Sequence, residues 1–475
     1  MTLNEKVAAI KNGQIKAVDK LEKYLEQSQK NKELNAFINI LEDGARKRAE
    51  TIDQNIQNGI DPGPLTGVVM AIKDNINIKN EKTTCGSKIL QPFKSPYNAT
   101  VINKLEKAGA IFIGKTNMDE YAMGSSNENS SFGPVRNPVD KTRVPGGSSG
   151  GSAVSVAAGM ADAALGSETG GSIRQPASFT GVVGLKPSYG RVSRYGLVAF
   201  ASSLDQIGVF APTVSDNALV FGQIAGHDMN DSTSADVAVP DYSEYLGRDV
   251  KGVRIGIPDE YFGDGLDENI RDGVLGMVDR LREQGAEVKK IKMPTSQYGI
   301  SVYYIIATAE ASSNLARYDG VRYGLSIRES GDDLIDMYSK TRSQGFGDEV
   351  RRRIMLGTYV LSSGYYDAYY KKAQKARRLI KNELDEAFKN LDVIVTPTTP
   401  TTAFGLGEKI DDPLAMYLSD IYTVSANLAG ICAMSVPVGK HPNGLPFGIQ
   451  LLSNAFNEGM LFRVGDYIEK IVEKQ

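Results

Sequence analysis

Short apolar runs alternate with amphipathic stretches that stop at glycine, and this alternation constrains the 475-residue chain more than any other feature. After the turn that begins at Asp61, Gly67-Val-Val-Met-Ala-Ile72 reads as a strand ending at Lys73. Residues 100–108 read as a helix, Gly109 as its stop, and Ala110-Ile-Phe-Ile113 as a second strand. The order recurs. Val253 to Ile257 leads to a helix over about 268–284, to Gly285 and to a strand at 286–288; a helix from about Tyr366 to Leu391 feeds Val393-Ile-Val395. Such alternation predicts an α/β protein. The chain closes differently, with Met434–Val438, a turn at His441–Gly444 and Phe447–Leu452 reading as a hairpin, so the central sheet is expected to be mixed. The first 50 or so residues space Leu3, Val7, Ile10, Val18, Leu21 and Leu25 at helical intervals. They predict a helical arm over residues 1–60 that belongs to the same domain as residues 61–475. No long Pro, Ser or Gly linker separates independent units, so one large domain is expected.

Composition narrows the function. The 54 Lys and Arg against 57 Asp and Glu give a formal charge of −3, which argues against a chain that grips a polyanion by overall charge. Two His and two Cys are too few for a His/Cys zinc site or a disulfide framework, and no metal site is expected. The longest weakly polar stretch, Val154 to Leu165, is broken by Asp162 and falls short of a bilayer span. The first residues carry early acids and no apolar core of a signal peptide, so the expected location is the cytoplasm.

Gly109-Ala-Ile-Phe-Ile-Gly114-Lys115-Thr116 satisfies the phosphate-loop pattern G-x-x-x-x-G-K-[ST]. Its context is wrong for that role. A phosphate cradle follows a strand and has small, flexible residues inside it, whereas here a helix precedes and the inner residues are strand formers. The better reading is a helix stop and a buried strand, with Lys115 and Thr116 opening the next loop. A nucleotide-binding protein built on this segment is the alternative from another functional class.

Two other segments point to chemistry: Gly146-Gly-Ser148-Ser-Gly-Gly-Ser152 and Gly166-Ser-Glu-Thr169-Gly-Gly-Ser172-Ile-Arg-Gln-Pro176. Glycine- and serine-rich stretches are often plain loops. These two lie between apolar runs, and a serine on consecutive glycines has free backbone N–H groups beside it, as an oxyanion hole requires. A nucleophilic serine also needs a base. His227 and His441 stand in surface-type turns, away from any strand end. Lys73 ends a strand, and burial there would favour the neutral amine that Ser-Lys versions of the catalytic triad use. The competing reading of Lys73 is an exposed lysine paired with Asp74.

With Lys73, both glycine-serine segments, Ala71-Ile-Lys-Asp-Asn75, Gly181-Val-Val-Gly-Leu-Lys-Pro187 and Thr396-Pro-Thr-Thr-Pro400, the chain resembles the amidase signature family over nearly its whole length. Within that family it is most similar to the tRNA-dependent amidotransferase branch. That likeness rests on Met123-Gly-Ser-Ser126, Glu310 to Gly320, Arg352-Arg-Ile-Met-Leu-Gly357 and Ser363 to Tyr370.

The resemblance implies a single large domain whose central mixed β-sheet is covered by helices on both faces. It implies a Ser-cisSer-Lys triad of Ser172 as nucleophile, Ser148 as relay and Lys73 as base, with a cis peptide before Ser148. The N–H groups of Thr169, Gly170, Gly171 and Ser172 would hold the oxyanion. For glutamine as substrate it implies Arg353 on the α-carboxylate, Asp420 on the α-ammonium, and Gly124, Ser125 and Tyr304 beside them. The runs Arg351-Arg352-Arg353 and Tyr303-Tyr304 leave that register open by one residue. It implies two partners, a B subunit that binds the charged tRNA and activates it with ATP and Mg2+, and a small C subunit. This chain would need no cofactor and would touch tRNA mainly through the B subunit; the basic run Lys371 to Lys381 reads as a solvated helix face. The expected reaction is hydrolysis of glutamine to supply ammonia for converting Glu-tRNA(Gln), Asp-tRNA(Asn) or both. A stand-alone amidase with the same triad and a different pocket is the other reading.

Overall fold

In the computed structural model, which describes residues 1–473, one eleven-stranded sheet runs through the molecule. Its strands are β1 (Phe37–Ile40), β2 (Val69–Lys73), β3 (Ile111–Thr116), β4 (Ala163–Glu168), β5 (Val183–Lys186), β6 (Gln206–Ala211), β7 (Arg254–Pro258), β8 (Glu287–Ile291), β9 (Val393–Pro397), β10 (Cys432–Lys440) and β11 (Pro446–Ser453). They are arranged in the order β1-β3-β2-β4-β6-β5-β10-β11-β9-β7-β8. The sheet is mixed. β2 pairs parallel with β3 and β4, β7 pairs parallel with β8 and β9, and the centre is antiparallel, including the β10–β11 hairpin. Because strands from both ends of the chain share this sheet, it forms one domain.

Side-chain alternation along β2 shows how the sheet is covered. Met70 and Ile72 join a core with helices 100–107, 214–224 and 458–472. Val69 and Ala71 face the other way, against helices 17–30, 42–57 and 150–157. Further along, Met434 and Val436 of β10 lie in the first core, while Ala433 packs with helices 299–314, 371–387 and 424–429. Helices therefore cover both faces. Lys73 continues the Val69 and Ala71 register, so it points to the face covered by helix 150–157, the helix that follows the first glycine-serine segment.

The helical register of the N-terminal residues is broken by a turn at 12–16 and, between helices Ala17–Lys30 and Glu42–Gln57, by a strand. Phe37-Ile-Asn-Ile40 forms β1, antiparallel to β3, where pairing along the outer edge of β3 overrides the helical spacing. The two helices before β1, Leu3–Lys11 and Ala17–Lys30, are tied to the sheet through Asp162. Its carboxylate meets Lys6 at 2.8 Å and Lys20 at 2.5 Å and accepts from the Val69 N–H at 2.9 Å.

A second difference concerns β3, which continues through Lys115 and Thr116 instead of ending before them. Lys115 is fully buried, 3.2 Å from the Asp74 carboxylate, and donates to the carbonyl of Ile76 at 2.8 Å. The partner of Asp74 is thus Lys115, not Lys73, and no amide-lined loop exists at this phosphate-loop pattern. The long helix read over 366–391 begins as a π-helical turn at Tyr366–Tyr370 and continues as an α-helix over Lys371–Ala387.

Candidate active site

β2 and β4 run parallel, and their C-terminal ends set Lys73 beside Ser167 and Glu168. Lys73 Nζ donates to the carbonyl oxygen of Ser167 at 3.1 Å and lies 2.8 Å from Ser148 Oγ and 2.7 Å from Ser149 Oγ. The lysine is fully buried. Loss of water pulls its pKa down to about 7, against the opposing pull of Asp119, Asp205 and Glu168. The peptide Gly147-Ser148 is cis. Gly147 has to be glycine, because a Cβ there would lie 2.1 Å from Asp119 Oδ2 and 2.7 Å from the Ser126 and Asn127 nitrogens.

The second glycine-serine segment joins β4 to helix Arg174–Thr180. Its backbone meets the first one where the Ser149 N–H donates to the Ser172 carbonyl at 3.3 Å. Ser172 keeps a small exposure of 7%, whereas Ser148 is fully buried. Among the described residues, nothing accepts a hydrogen bond from the N–H groups of Thr169, Gly170, Gly171 or Ser172. The next two N–H groups, of Ile173 and Arg174, are taken by the Glu168 carboxylate at 2.9 and 3.1 Å. Glu168 also pairs with the buried Arg174 side chain. The loop is gripped from outside. Thr169 Oγ1 lies 2.8 Å from the Tyr303 hydroxyl, and Thr423 Oγ1 donates to the Gly170 carbonyl at 2.5 Å. Added Cβ atoms on Gly170 and Gly171 would meet the Tyr303 ring at 2.6 Å and Thr423 Oγ1 at 2.4 Å. The four free N–H groups are consequently fixed in place without being satisfied, which suits them to a developing oxyanion.

The remaining residues expected at the site gather around Asp420 and Arg353. Ser125 Oγ donates to Asp420 Oδ2 at 2.5 Å, and Gly124 leaves room for Asp119, since a Cβ there would lie 2.4 Å from the Asp119 carboxyl carbon. Asp420 is buried, and its Oδ1 has no partner among the described residues. Burial pushes its pKa up to about 7, opposed by the Ser125 hydrogen bond and by Arg353. Arg353 is buried while Arg351 and Arg352 on the same helix are exposed and paired with Asp348 and Glu349. Tyr303 faces Thr169, whereas Tyr304 stacks on Tyr417 and lies 5.3 Å from the Arg353 guanidinium. Both histidines lie elsewhere, His227 exposed beside Met229 and His441 at 3.4 Å from Asp267. No group of three or more His, Cys, Asp or Glu among the described residues is arranged to hold a metal ion.

Several residues of this site escaped the sequence reading. Ser149 is a second hydroxyl on Lys73, hidden in a run of serines. Asp119 is buried against Gly124 and Gly147 and accepts from the N–H groups of Asn127 and Asn129 at 2.9 and 3.1 Å. Gln175 joins the loops, its Oε1 accepting from the Gly147 N–H and its Nε2 donating to the Ser125 carbonyl, both at 2.9 Å. Only Glu349 left a signal, its four-residue spacing from Arg353 on one helix.

A buried lysine on a serine hydroxyl, next to a second serine among unsatisfied N–H groups, is the equipment for acyl transfer from an amide. The chain belongs to the amidase family, whose model, described as Amidase, matches residues 19–462. Among its relatives, the A subunit of glutamyl-tRNA(Gln) amidotransferase from Gloeobacter violaceus is 57% identical over 458 residues, spanning 96% of this chain and 94% of that one. The protein of the same name from Thermoanaerobacter pseudethanolicus is 54% identical over 471 residues, spanning 99% and 96%. The crystal structure of the corresponding A subunit from Thermotoga maritima superposes with a TM-score of 0.82 at 43% identity, spanning 99% and 94%.

Proposed function

We propose that this chain is the glutaminase subunit of a tRNA-dependent amidotransferase, a carbon–nitrogen ligase that uses glutamine as its amide donor. The observation that carries the substrate is the presence in one site of a buried carboxylate with an unpartnered oxygen, Asp420 Oδ1, and a buried guanidinium close enough to act on it, Arg353. A plain amide needs neither group, whereas the α-ammonium and α-carboxylate of glutamine need both.

In this reading Ser172 attacks the γ-amide carbonyl, Ser148 passes the nucleophile's proton on, and neutral Lys73 receives it. The N–H groups of Thr169, Gly170, Gly171 and Ser172 hold the oxyanion. Lys73 returns the proton to the departing nitrogen, and water then frees glutamate by the same relay in reverse. Gly124, Ser125 and Tyr304 shape the pocket, Arg353 takes the α-carboxylate and Asp420 the α-ammonium.

Glutamate and ammonia are the only products this chemistry yields, so the chain serves biosynthesis only within a larger assembly. The relatives' shared name supports an amidotransferase of several subunits. The assigned partners are a B subunit, which binds tRNA and uses ATP and Mg2+ to activate the misplaced carboxyl of Glu-tRNA(Gln), Asp-tRNA(Asn) or both, and a small C subunit. The assigned location is the cytoplasm. No described helix is long and apolar enough to cross a membrane.

Ammonia release from L-glutamine is the test, measured on the chain alone and with B and C subunits, ATP and misacylated tRNA. Ser172→Ala is expected to abolish release while the assembly still amidates tRNA from external ammonium. Glutaminase activity surviving in that variant refutes the mechanism. Efficient hydrolysis of unrelated amides, indifferent to partners, would favour the stand-alone amidase.

A further inference from the structure

We propose that Glu349 and Tyr417 form a latch that aims Arg353 and thereby sets the affinity of the pocket for the α-carboxylate of its substrate. The inference rests on the reading of Arg353 given above and assigns roles to two residues outside it. Arg353 Nε donates to Glu349 Oε1 at 2.7 Å, which leaves the two terminal nitrogens of the guanidinium for a carboxylate. A long arginine side chain without such a tether would have to be ordered by the ligand, at a cost in affinity. The same Glu349 oxygen accepts from the Tyr417 hydroxyl at 3.0 Å. The Tyr417 ring stacks on Tyr304 with centroids 3.8 Å apart and lies 5.5 Å from the Arg353 guanidinium carbon. The guanidinium is therefore bordered by the rings of Tyr304, Tyr417 and Phe200, and Glu349 fixes its rotation.

Tyr417 adds a second constraint. It stands on helix Pro413–Leu418, three residues before Asp420. Its hydroxyl ties that segment to helix Asp348–Leu361, which carries Arg353. The group for the ammonium and the group for the carboxylate thus come from different segments, and the Tyr417–Glu349 hydrogen bond holds their spacing. Glu349 and Tyr417 are positioning residues that reach the substrate only through Arg353 and Asp420.

The test compares two ligands in Glu349→Gln, with Tyr417→Phe as the milder variant that keeps the ring stack and loses only the hydroxyl. L-Glutamate and 4-aminobutanamide are measured as competitive inhibitors of glutamine hydrolysis; both carry the amine and only glutamate carries the α-carboxylate. Loss of one charge-assisted contact is expected to raise the glutamine KM and the glutamate Ki together by about tenfold or more, with kcat changed less. The Ki of 4-aminobutanamide should move far less. Equal losses for both ligands, or a fall in kcat without a rise in KM, would show a merely structural role and overturn the latch. Wild-type protein that does not hydrolyse glutamine overturns the functional reading itself, whereas unchanged KM and Ki values in active variants overturn the latch alone.

Discussion

In the proposed mechanism the pH dependence follows from two groups that burial moves toward neutrality from opposite sides. Lys73 is pulled down to about 7 by burial, and the neutral amine that serves as base prevails above that value. Asp420 is pushed up to about 7 by burial, and the carboxylate that pairs with an ammonium also prevails above it. Both active forms are therefore lost as pH falls through 7, and neither is lost as it rises. In the free enzyme the two losses multiply. At pH 6 each active form has dropped to about a tenth, so kcat/KM, which reports the free enzyme, should stand near a hundredth of its alkaline plateau. Its logarithm should approach a slope of two at lower pH. In the substrate complex the bound ammonium holds Asp420 ionised, so kcat should follow Lys73 alone, with a slope of one and a loss of about tenfold at pH 6. Asp420→Asn should reduce the limb in kcat/KM to a slope of one. Lys73→Arg keeps its charge throughout and should lose the roughly 10²- to 10⁴-fold that general base catalysis contributes. Steady-state ammonia release between pH 5 and pH 9 measures all of this. A flat profile, or an active Lys73→Arg enzyme, would refute the assignment of Lys73 as base.

Lys115→Ala tests the reading of the phosphate-loop pattern. Removing this lysine leaves Asp74 buried without its cation, so the variant should lose about 3–5 kcal/mol of stability in denaturant unfolding. Wild-type protein should show no ATP binding dependent on Lys115, and calorimetric titration that found such binding would reinstate the loop. Gly147→Ala inserts a methyl group 2.1 Å from Asp119 Oδ2, in a wall formed partly by backbone. Overpacking of this kind costs about 1–3 kcal/mol, and glutaminase activity should fall further than stability because the shift displaces Ser148. Full activity in that variant would show that the Asp119 contact is dispensable.

Local pattern carried much of this molecule. The β2 strand ends at Lys73 as its apolar run does, the β10–β11 hairpin falls across the His441–Gly444 turn, and helix 268–283 stops just before Gly285. What escaped were features that depend on partners distant in the chain. Phe37 to Ile40 become a strand because the outer edge of β3 is there to pair with, a fact no window of sequence contains. Lys115 stays in its strand because Asp74 and the carbonyl of Ile76 receive it. Within the site, the glycine-serine segments were conspicuous because free N–H groups need glycine nearby. Asp119 was not, since a carboxylate met by backbone amides leaves no complementary residue in the sequence. Tyr417 was equally silent, for its role arises from a helix residue 68 positions away, Glu349.

The carboxylates around Lys73 bear on how a lysine could serve in the proposed role of base. Full burial alone can take a lysine several units below its ordinary value, to about 5 or 6 in documented cases. Such an amine would be too weak a base to draw a proton from serine. Asp119, Asp205 and Glu168 each pull the other way and leave Lys73 at about 7, near the pH at which a general base works best. These anions must keep their charge to have that effect; Glu168 is held below its ordinary value, whereas burial pushes Asp119 up to about 6 and Asp205 up to about 7 against the hydrogen bonds that oppose it. Glu168 is paired with Arg174 and two N–H groups, Asp119 accepts from Asn127 and Asn129, and Asp205 accepts from the Phe200 N–H at 3.1 Å. Burial supplies the neutral amine, and the fixed anions limit how far it is weakened. The base strength of Lys73 is thus a property of the strand ends and loops that hold those carboxylates, more than of the two serines it touches.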